Sequence, residues 1–191
     1  NGSWIKNAVK SQDKLRKFII DRAKNTKFGK EHNFSKISNY EEWKKLVPIR
    51  DYEGLKPYID LVISGENDVL WPGKPLYFSK TSGTTSGSKY IPISKHSMKY
   101  HIIAARDAIL AYIYESKNTS VINGKMIFIQ GSPVLSSTSG ILTGRLSGIV
   151  AHHTPWYLKK NQLPSLKTNS MGSWEEKIGA ICDETLSLIH I

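Results

Sequence analysis

Residues Thr81 to Lys89 read TSGTTSGSK, the most chemically biased stretch of the chain. Gly83 and Gly87 lack a Cβ, so the backbone there can bend sharply and approach a ligand closely. Thr81, Ser82, Thr84, Thr85, Ser86 and Ser88 supply hydroxyls, while Lys80 and Lys89 place positive charge at the two ends. Successive backbone N–H groups turned inward make an anion-binding concavity. A polyphosphate is the guest that this chemistry suits.

Spacing narrows the chemistry further. A P-loop needs four residues between its first Gly and the Gly-Lys-Ser/Thr. Here only Thr84, Thr85 and Ser86 separate Gly83 from Gly87, Ser88 precedes Lys89, and Tyr90 follows it. The G-x-G-x-x-G pattern of dinucleotide sites is absent too. A featureless Gly/Ser/Thr linker is disfavoured by the lysines and by the strand-like flanks.

Those flanks are the elements that must position the loop. Leu76 to Ser79 reads as one short strand and Tyr90 to Ile93 as another, the latter at a sheet edge because Pro92 cannot donate to a ladder. Ser94 then caps a long helix in which Met98, Ile102, Ala105, Ile109, Tyr112 and Ile113 repeat with helical period. Met126 to Ile129 reads as a fully buried strand, and Ile149 to His152 as a further strand. Between them, Gly131 to Gly148 suits loops around a cleft, with Arg145 a candidate for an anionic ligand, and Pro155 to Ser170 reads as irregular.

Upstream, Trp4, Ala8, Leu15, Phe18, Ile19 and Ala23 fall on one helix face, and Asn25 to Asn33 reads as the break after it. Ser38 to Glu41 has capping-box spacing and opens a short helix that ends by Pro48. Asp51 to Ile63 reads as another helix, with Pro57 best placed in its first turn. Ser173 to Glu176 repeats the capping box and opens a helix whose inward face is Trp174, Ile178, Ile181 and Thr185. Strands alternating with helices predict an α/β fold with a mostly parallel sheet.

Composition sets the class. A 39% hydrophobic and 10% aromatic content over 191 residues is that of a folded protein. The net charge of +11 raises nucleic acid as a partner. Its lysines and arginines are spread at mixed helical phases with acids among them, and the aromatics sit at core phases, which reads as solvated helix faces. Cys182 is the only cysteine, so no intrachain disulfide forms and a reducing, cytoplasmic setting is expected. No apolar run approaches the ~20 residues that span a bilayer, and no signal peptide opens the chain. Neither nucleic acid nor membrane is an expected partner.

The run Thr81 to Lys89 resembles the phosphate-binding motif of the adenylate-forming superfamily. VPIRDYEGLKPYID (Val47 to Asp60) and LWPGKPLYFSKTSGTTSGSKYIPIS (Leu70 to Ser94) resemble the GH3 family of acyl-acid amido synthetases, in particular its bacterial branch. MIFIQGSPVL (Met126 to Leu135), TGRLSGIVAHHTPWYL (Thr143 to Leu158) and WEEKI (Trp174 to Ile178) fit the same branch.

The resemblance implies a ligase that activates a small carboxylic acid with ATP and Mg²⁺ as an acyl-adenylate and passes it to an amine, usually of an amino acid. It implies that Thr81, Ser82, Gly83, Thr84, Thr85, Ser86, Gly87, Ser88 and Lys89 surround the ATP phosphates. The acyl pocket would be lined partly by the helix after the motif, where Arg106 and Ile109 are the candidates, with Arg145 bordering the cleft. No catalytic residue is assigned. No protein side chain is expected to ligate a metal, since His152 and His153, adjacent in a strand, would point to opposite faces.

The family pattern further implies a second nucleotide segment and a smaller C-terminal domain that cannot be assigned in this sequence. The expectation is a partial N-terminal adenylation domain over residues 1–185, truncated, with residues 186–191 a non-native tail and the C-terminal domain absent. Such a chain is expected to be inactive alone, and its sheet to expose an apolar edge. Two other readings compete. A coenzyme A acceptor would keep the adenylation and change the second step. A non-catalytic basic binding module would require exposed aromatics interleaved with cations on one face.

Overall fold

The computed structural model describes the backbone of residues 3–81 and 87–186. The chain divides into two compact units, Asn1–Pro75 and Leu76–Ile191.

The first unit is helical: α1 (Ser3–Lys6), α2 (Ala8–Ala23), α3 (Lys27–Glu31), α4 (Tyr40–Leu46) and α5 (Tyr52–Ile63). Its core is Ile20, Ala23, Phe34 and Ile37, with Phe28, Trp43, Leu46, Val47 and Trp71 packed against it. On α2 the buried residues are Ile20 and Ala23; Ala23 lies on the expected face and Phe18 there is half-buried, whereas the expected Leu15 and Ile19 are exposed. The stretch Asn25 to Asn33 is not a plain break. Thr26 caps α3 by accepting from the Gly29 N–H, and the α3 amides of Lys27 and Phe28 donate to the carbonyls of Asp68 and Val69.

The α4 cap is shifted by one residue from expectation. Asn39 accepts from the Glu42 N–H, and the Glu42 carboxylate accepts from the Ser38 N–H at 2.7 Å and the Ser38 hydroxyl at 2.9 Å. Asp51 caps α5. Pro57 lies inside α5 rather than in its first turn, leaving the carbonyl four residues back without its helical donor.

The second unit carries the strands. They are β1 (Tyr77–Thr81) and β2 (Lys89–Ile93), then α6 (Lys95–Ser116), β3 (Met126–Ile127), β4 (Ser136–Thr138) and β5 (Ile141–Gly144). There follow α7 (Leu146–His153), α8 (Trp156–Lys159), β6 (Gln162–Leu163), α9 (Leu166–Asn169) and α10 (Trp174–Leu186). The sheet has the order β2-β1-β5-β4, with β3 and β6 forming a separate pair. The fold is α/β. Parallel pairing joins β1 to β5 and β3 to β6, while β1–β2 and β4–β5 are antiparallel, so the sheet is mixed rather than mostly parallel. As Pro92 requires, β2 lies at an edge.

Several expectations change here. Ile149 to His152 belongs to helix α7, not to a strand, because a four-residue apolar run does not by itself distinguish the two periods. Tertiary packing decides it: α7 docks so closely that a Cβ on Gly148 would lie 2.2 Å from the Ser132 carbonyl oxygen. Residues 155–170 form α8, β6 and α9 rather than irregular chain. The expected buried strand Met126 to Ile129 is two residues long, and Ile127, Phe128 and Ile129 are exposed, Ile129 at 77%.

Helix α6 begins where expected, with the Ser94 hydroxyl accepting from the Ser97 N–H at 3.0 Å. Among its residues Met98 is buried, whereas Tyr100, Leu110, Tyr112 and Tyr114 are exposed, so its aromatics do not sit at core positions. On α10 the buried residue is Lys177, and Trp174 and Ile178 are exposed. Among the described residues no helix is long and apolar enough to cross a membrane.

Candidate functional site

The site is built at one edge of the mixed sheet. Strand β1 carries the burial pattern of a central strand over Tyr77, Phe78 and Ser79, then becomes exposed at Lys80 and Thr81. Its antiparallel register with β2 pairs Tyr77 with Ile93 and ends by pairing Thr81 with Lys89. Thr81 and Lys89 therefore close the base of the loop, and residues 82–88 lie between them. Ser82, Gly83, Thr84, Thr85 and Ser86 are outside the described residues. Gly87 has φ of +80°, and a Cβ there would meet no atom of the described residues within 4 Å. Its requirement for glycine is thus conformational, not steric. Ser88 is exposed and leads directly into Lys89.

The parallel neighbour β5 brings a second cation to this edge. Ser79 is in register with Gly144, so the carboxyl ends of β1 and β5 lie side by side, and Arg145 follows immediately. In open α/β sheets, ligands bind outside the carboxyl ends of the strands. Arg145 is exposed and occupies the N-cap position of α7. Segment 131–135 braces it: a Cβ on Gly131 would lie 2.8 Å from Arg145 Cδ, and the Gly131 N–H donates to Ser147 Oγ at 3.0 Å. Ser147 lies in the stretch expected to border the cleft, whereas Gly131 had no distinctive signal beyond the small-residue bias of its surroundings.

Helix α7 is anchored to β1 from behind. The buried cluster Tyr77, Ile93, Met98 and Ile149 joins β1, β2, α6 and α7. Tyr77 Oη and His153 Nε2 are 3.0 Å apart, with the rings edge to face. Burial lowers the His153 pKa from its ordinary value near 6.5, and the charges of His152 and Lys159 lower it further. A neutral His153 accepts from the Tyr77 hydroxyl. His152 goes elsewhere, its Nε2–H donating to the Pro133 carbonyl at 2.7 Å. The adjacent histidines diverge, but from a helix and not from the expected strand. Among the described residues no group of three or more His, Cys, Asp or Glu could hold a metal.

Arg106 and Ile109 are on α6. Arg106 makes a two-nitrogen contact with the neighbouring Asp107 carboxylate, at 2.9 and 2.7 Å, with both side chains exposed. Ile109 is half-buried.

The chain as a whole is similar to known proteins in sequence and in fold. The model of the GH3 family N-terminal domain matches residues 3–178. Jasmonoyl–L-amino acid synthetase JAR6 of Nicotiana attenuata is 25% identical over 142 residues, covering 73% of this chain and 24% of that protein. Indole-3-acetic acid-amido synthetase GH3.10 of Arabidopsis thaliana is 31% identical over 96 residues, covering 41% and 16%. In fold, the chain is similar to the structure titled GH3.15 acyl acid amido synthetase, with a TM-score of 0.73, 19% identity, and coverage of 94% of this chain and 31% of that one. The structure of AtGH3.15 acyl acid amido synthetase in complex with 2,4-DB gives a TM-score of 0.63 at 23% identity, covering 77% and 26%. The chain spans about a quarter of the length of these synthetases. With the family model matched across nearly its whole length, the chain belongs to the GH3 family and corresponds to the N-terminal domain of that family.

Proposed function

We propose that the protein containing this chain is an ATP-dependent ligase that joins a small carboxylic acid to an amine, in particular that of an amino acid. In the first step a carboxylate oxygen attacks the α-phosphorus of ATP, and the bond to the bridging oxygen breaks to release pyrophosphate. In the second, the amine nitrogen attacks the acyl carbon, AMP leaves with the electron pair, and the nitrogen loses its proton. The relatives named above support this reading, being amido synthetases for jasmonate and indole-3-acetic acid with amino acids.

The observation that carries it is the Thr81–Lys89 closure at the carboxyl ends of β1 and β5. Polyphosphate fits what is described there. Gly87 has a positive φ of +80°, a conformation that suits an anion-binding turn, and Lys89 and Arg145 bring positive charge to the same end of the sheet. Donors fixed in place before reaction stabilise the charge that builds on departing pyrophosphate. Ser82, Thr84 and Thr85 are assigned to the β- and γ-phosphates on that reasoning, with Lys89 as a point charge. Mg²⁺ would be carried on the phosphate oxygens. Arg145 is placed at the rim of the cleft, while Arg106, already engaged by Asp107, is a weaker choice for the acyl carboxylate.

We assign residues 1–185 to a partial adenylation domain that is inactive alone, residues 186–191 to a non-native tail, and the protein to the cytoplasm. The test is pyrophosphate exchange into ATP by the full-length protein. Exchange that depends on an added carboxylic acid is expected. ATP binding without exchange across a broad panel of acids would overturn the ligase reading.

A further inference from the structure

A cavity of about 40 Å³ opens in the second unit, away from the β1–β2 loop. It lies past the carboxyl ends of the parallel pair β3–β6, where the Phe128 N–H donates to the Leu163 carbonyl at 2.7 Å. Gln130, Gln162 and Asn169 line it together with Ala151, Pro164 and Leu166 and the exposed Lys159.

Asn169 is 1% exposed and its oxygen, Oδ1, has no hydrogen-bond partner among the described residues. The orientation of the amide follows from its nitrogen, because Nδ2 donates to the Pro164 carbonyl at 3.1 Å. Turning the amide over would set two carbonyl oxygens against each other. A buried acceptor without a donor is costly, so Oδ1 requires an N–H or O–H.

Size and charge then select the donor. A void of this volume admits water and is far too small for a nucleotide or an amino acid. Lys159 disfavours a second cation, and the Oδ1 lone pairs disfavour an anion. We propose that the cavity is a hydration site in which an ordered water donates to Asn169 Oδ1 and is held by the amides of Gln130 and Gln162. Gln130 runs straight into Gly131, which abuts Arg145 and donates to Ser147. Asn169 is thereby a positioning residue, acting through water on the segment that braces the sheet edge.

A crystal structure at a resolution that shows solvent tests the site. A water about 2.7–3.2 Å from Oδ1 is expected in the unsubstituted protein, and its loss in Asn169→Leu. An empty cavity, or Lys159 Nζ bonded directly to Oδ1, overturns the proposal. Exchange of the Gly131 N–H with solvent deuterium, followed by NMR, should quicken several-fold in Asn169→Leu; unchanged exchange removes the positioning role. If Asn169→Leu does not fold, Gln162→Leu serves, with reduced water occupancy expected and full occupancy counting against the site.

Discussion

Thr81 and Lys89 are register partners at the open end of the β1–β2 hairpin, so a hydroxyl and an ammonium-bearing side chain stand on opposite sides of one loop base. The pairing sets the distance that residues 82–88 must span, and it fixes which sheet edge the loop leaves from. Since β1 is central and β2 is at an edge, the loop is held by a strand that is itself hydrogen-bonded on both sides.

The first prediction concerns that base. In the full-length protein, Lys89→Ala should slow acid-dependent pyrophosphate exchange by roughly ten- to a thousand-fold, and Lys89→Arg should restore part of it. The same range is expected for Ser82→Ala with Thr84→Ala. Rates equal to those of the unsubstituted protein would remove these residues from phosphate stabilisation.

Packing of α7 gives a stability prediction. The Ser132 carbonyl is backbone and cannot swing aside, so Gly148→Ala should destabilise the fold by about 2–3 kcal/mol. A urea midpoint that does not move would show that segment 131–135 yields freely. Gly87→Ala, clear of the described residues but at φ of +80°, should cost only about 1–2 kcal/mol through backbone strain.

His153 supplies a pH dependence. Its folded pKa is lowered below 6.5, first by burial and then by the His152 and Lys159 charges. The unfolded chain therefore binds the proton more readily than the folded one. This contribution to stability is complete above about 6.5, declines as pH falls from there to the lowered folded value, and then levels off. Thermal midpoints measured across that window should fall with acid, and His153→Phe should flatten the profile. An identical slope in the variant would assign the dependence to other groups.

Glu184 clamps α10 to the start of α9. Its carboxylate accepts from the Ser165 N–H at 2.5 Å, the Ser165 hydroxyl at 2.6 Å and the Thr168 hydroxyl at 2.5 Å. Desolvation is the largest single influence on its pKa and pushes it up, but the bonds from Ser165 and Thr168 together outweigh it, and the pKa lies below 4.5. Stability from this clamp is present above 4.5 and lost as pH falls through the folded value. Glu184→Gln should cost about 1 kcal/mol, discounted for solvent access, and remove that acid sensitivity. Deuterium exchange of the α10 amides reads both effects.

Much of this site is written locally. The proposal of an anion loop at Thr81–Lys89 rests on residue types alone, and Ser94, Asp51 and Ser173 cap helices through side chains that reach three residues forward. Such signals lie within one turn of the chain. Burial does not, and there the exposed Leu15 and Ile19 on α2, the exposed Tyr112 and the exposed Ile129 departed from expectation.

What the sequence determined by itself was the alternation of helix and strand and the family that these residues resemble, and it is the ground for assigning phosphate chemistry to residues 81–89. Tertiary structure decided which strand adjoins β1, that Arg145 shares the loop's sheet edge, and that residues 146–153 are helical. The physical reason is range. A cap or a positive φ is satisfied by neighbours in sequence, whereas the Ser79–Gly144 register joins residues 65 positions apart, a partnership that no local pattern specifies.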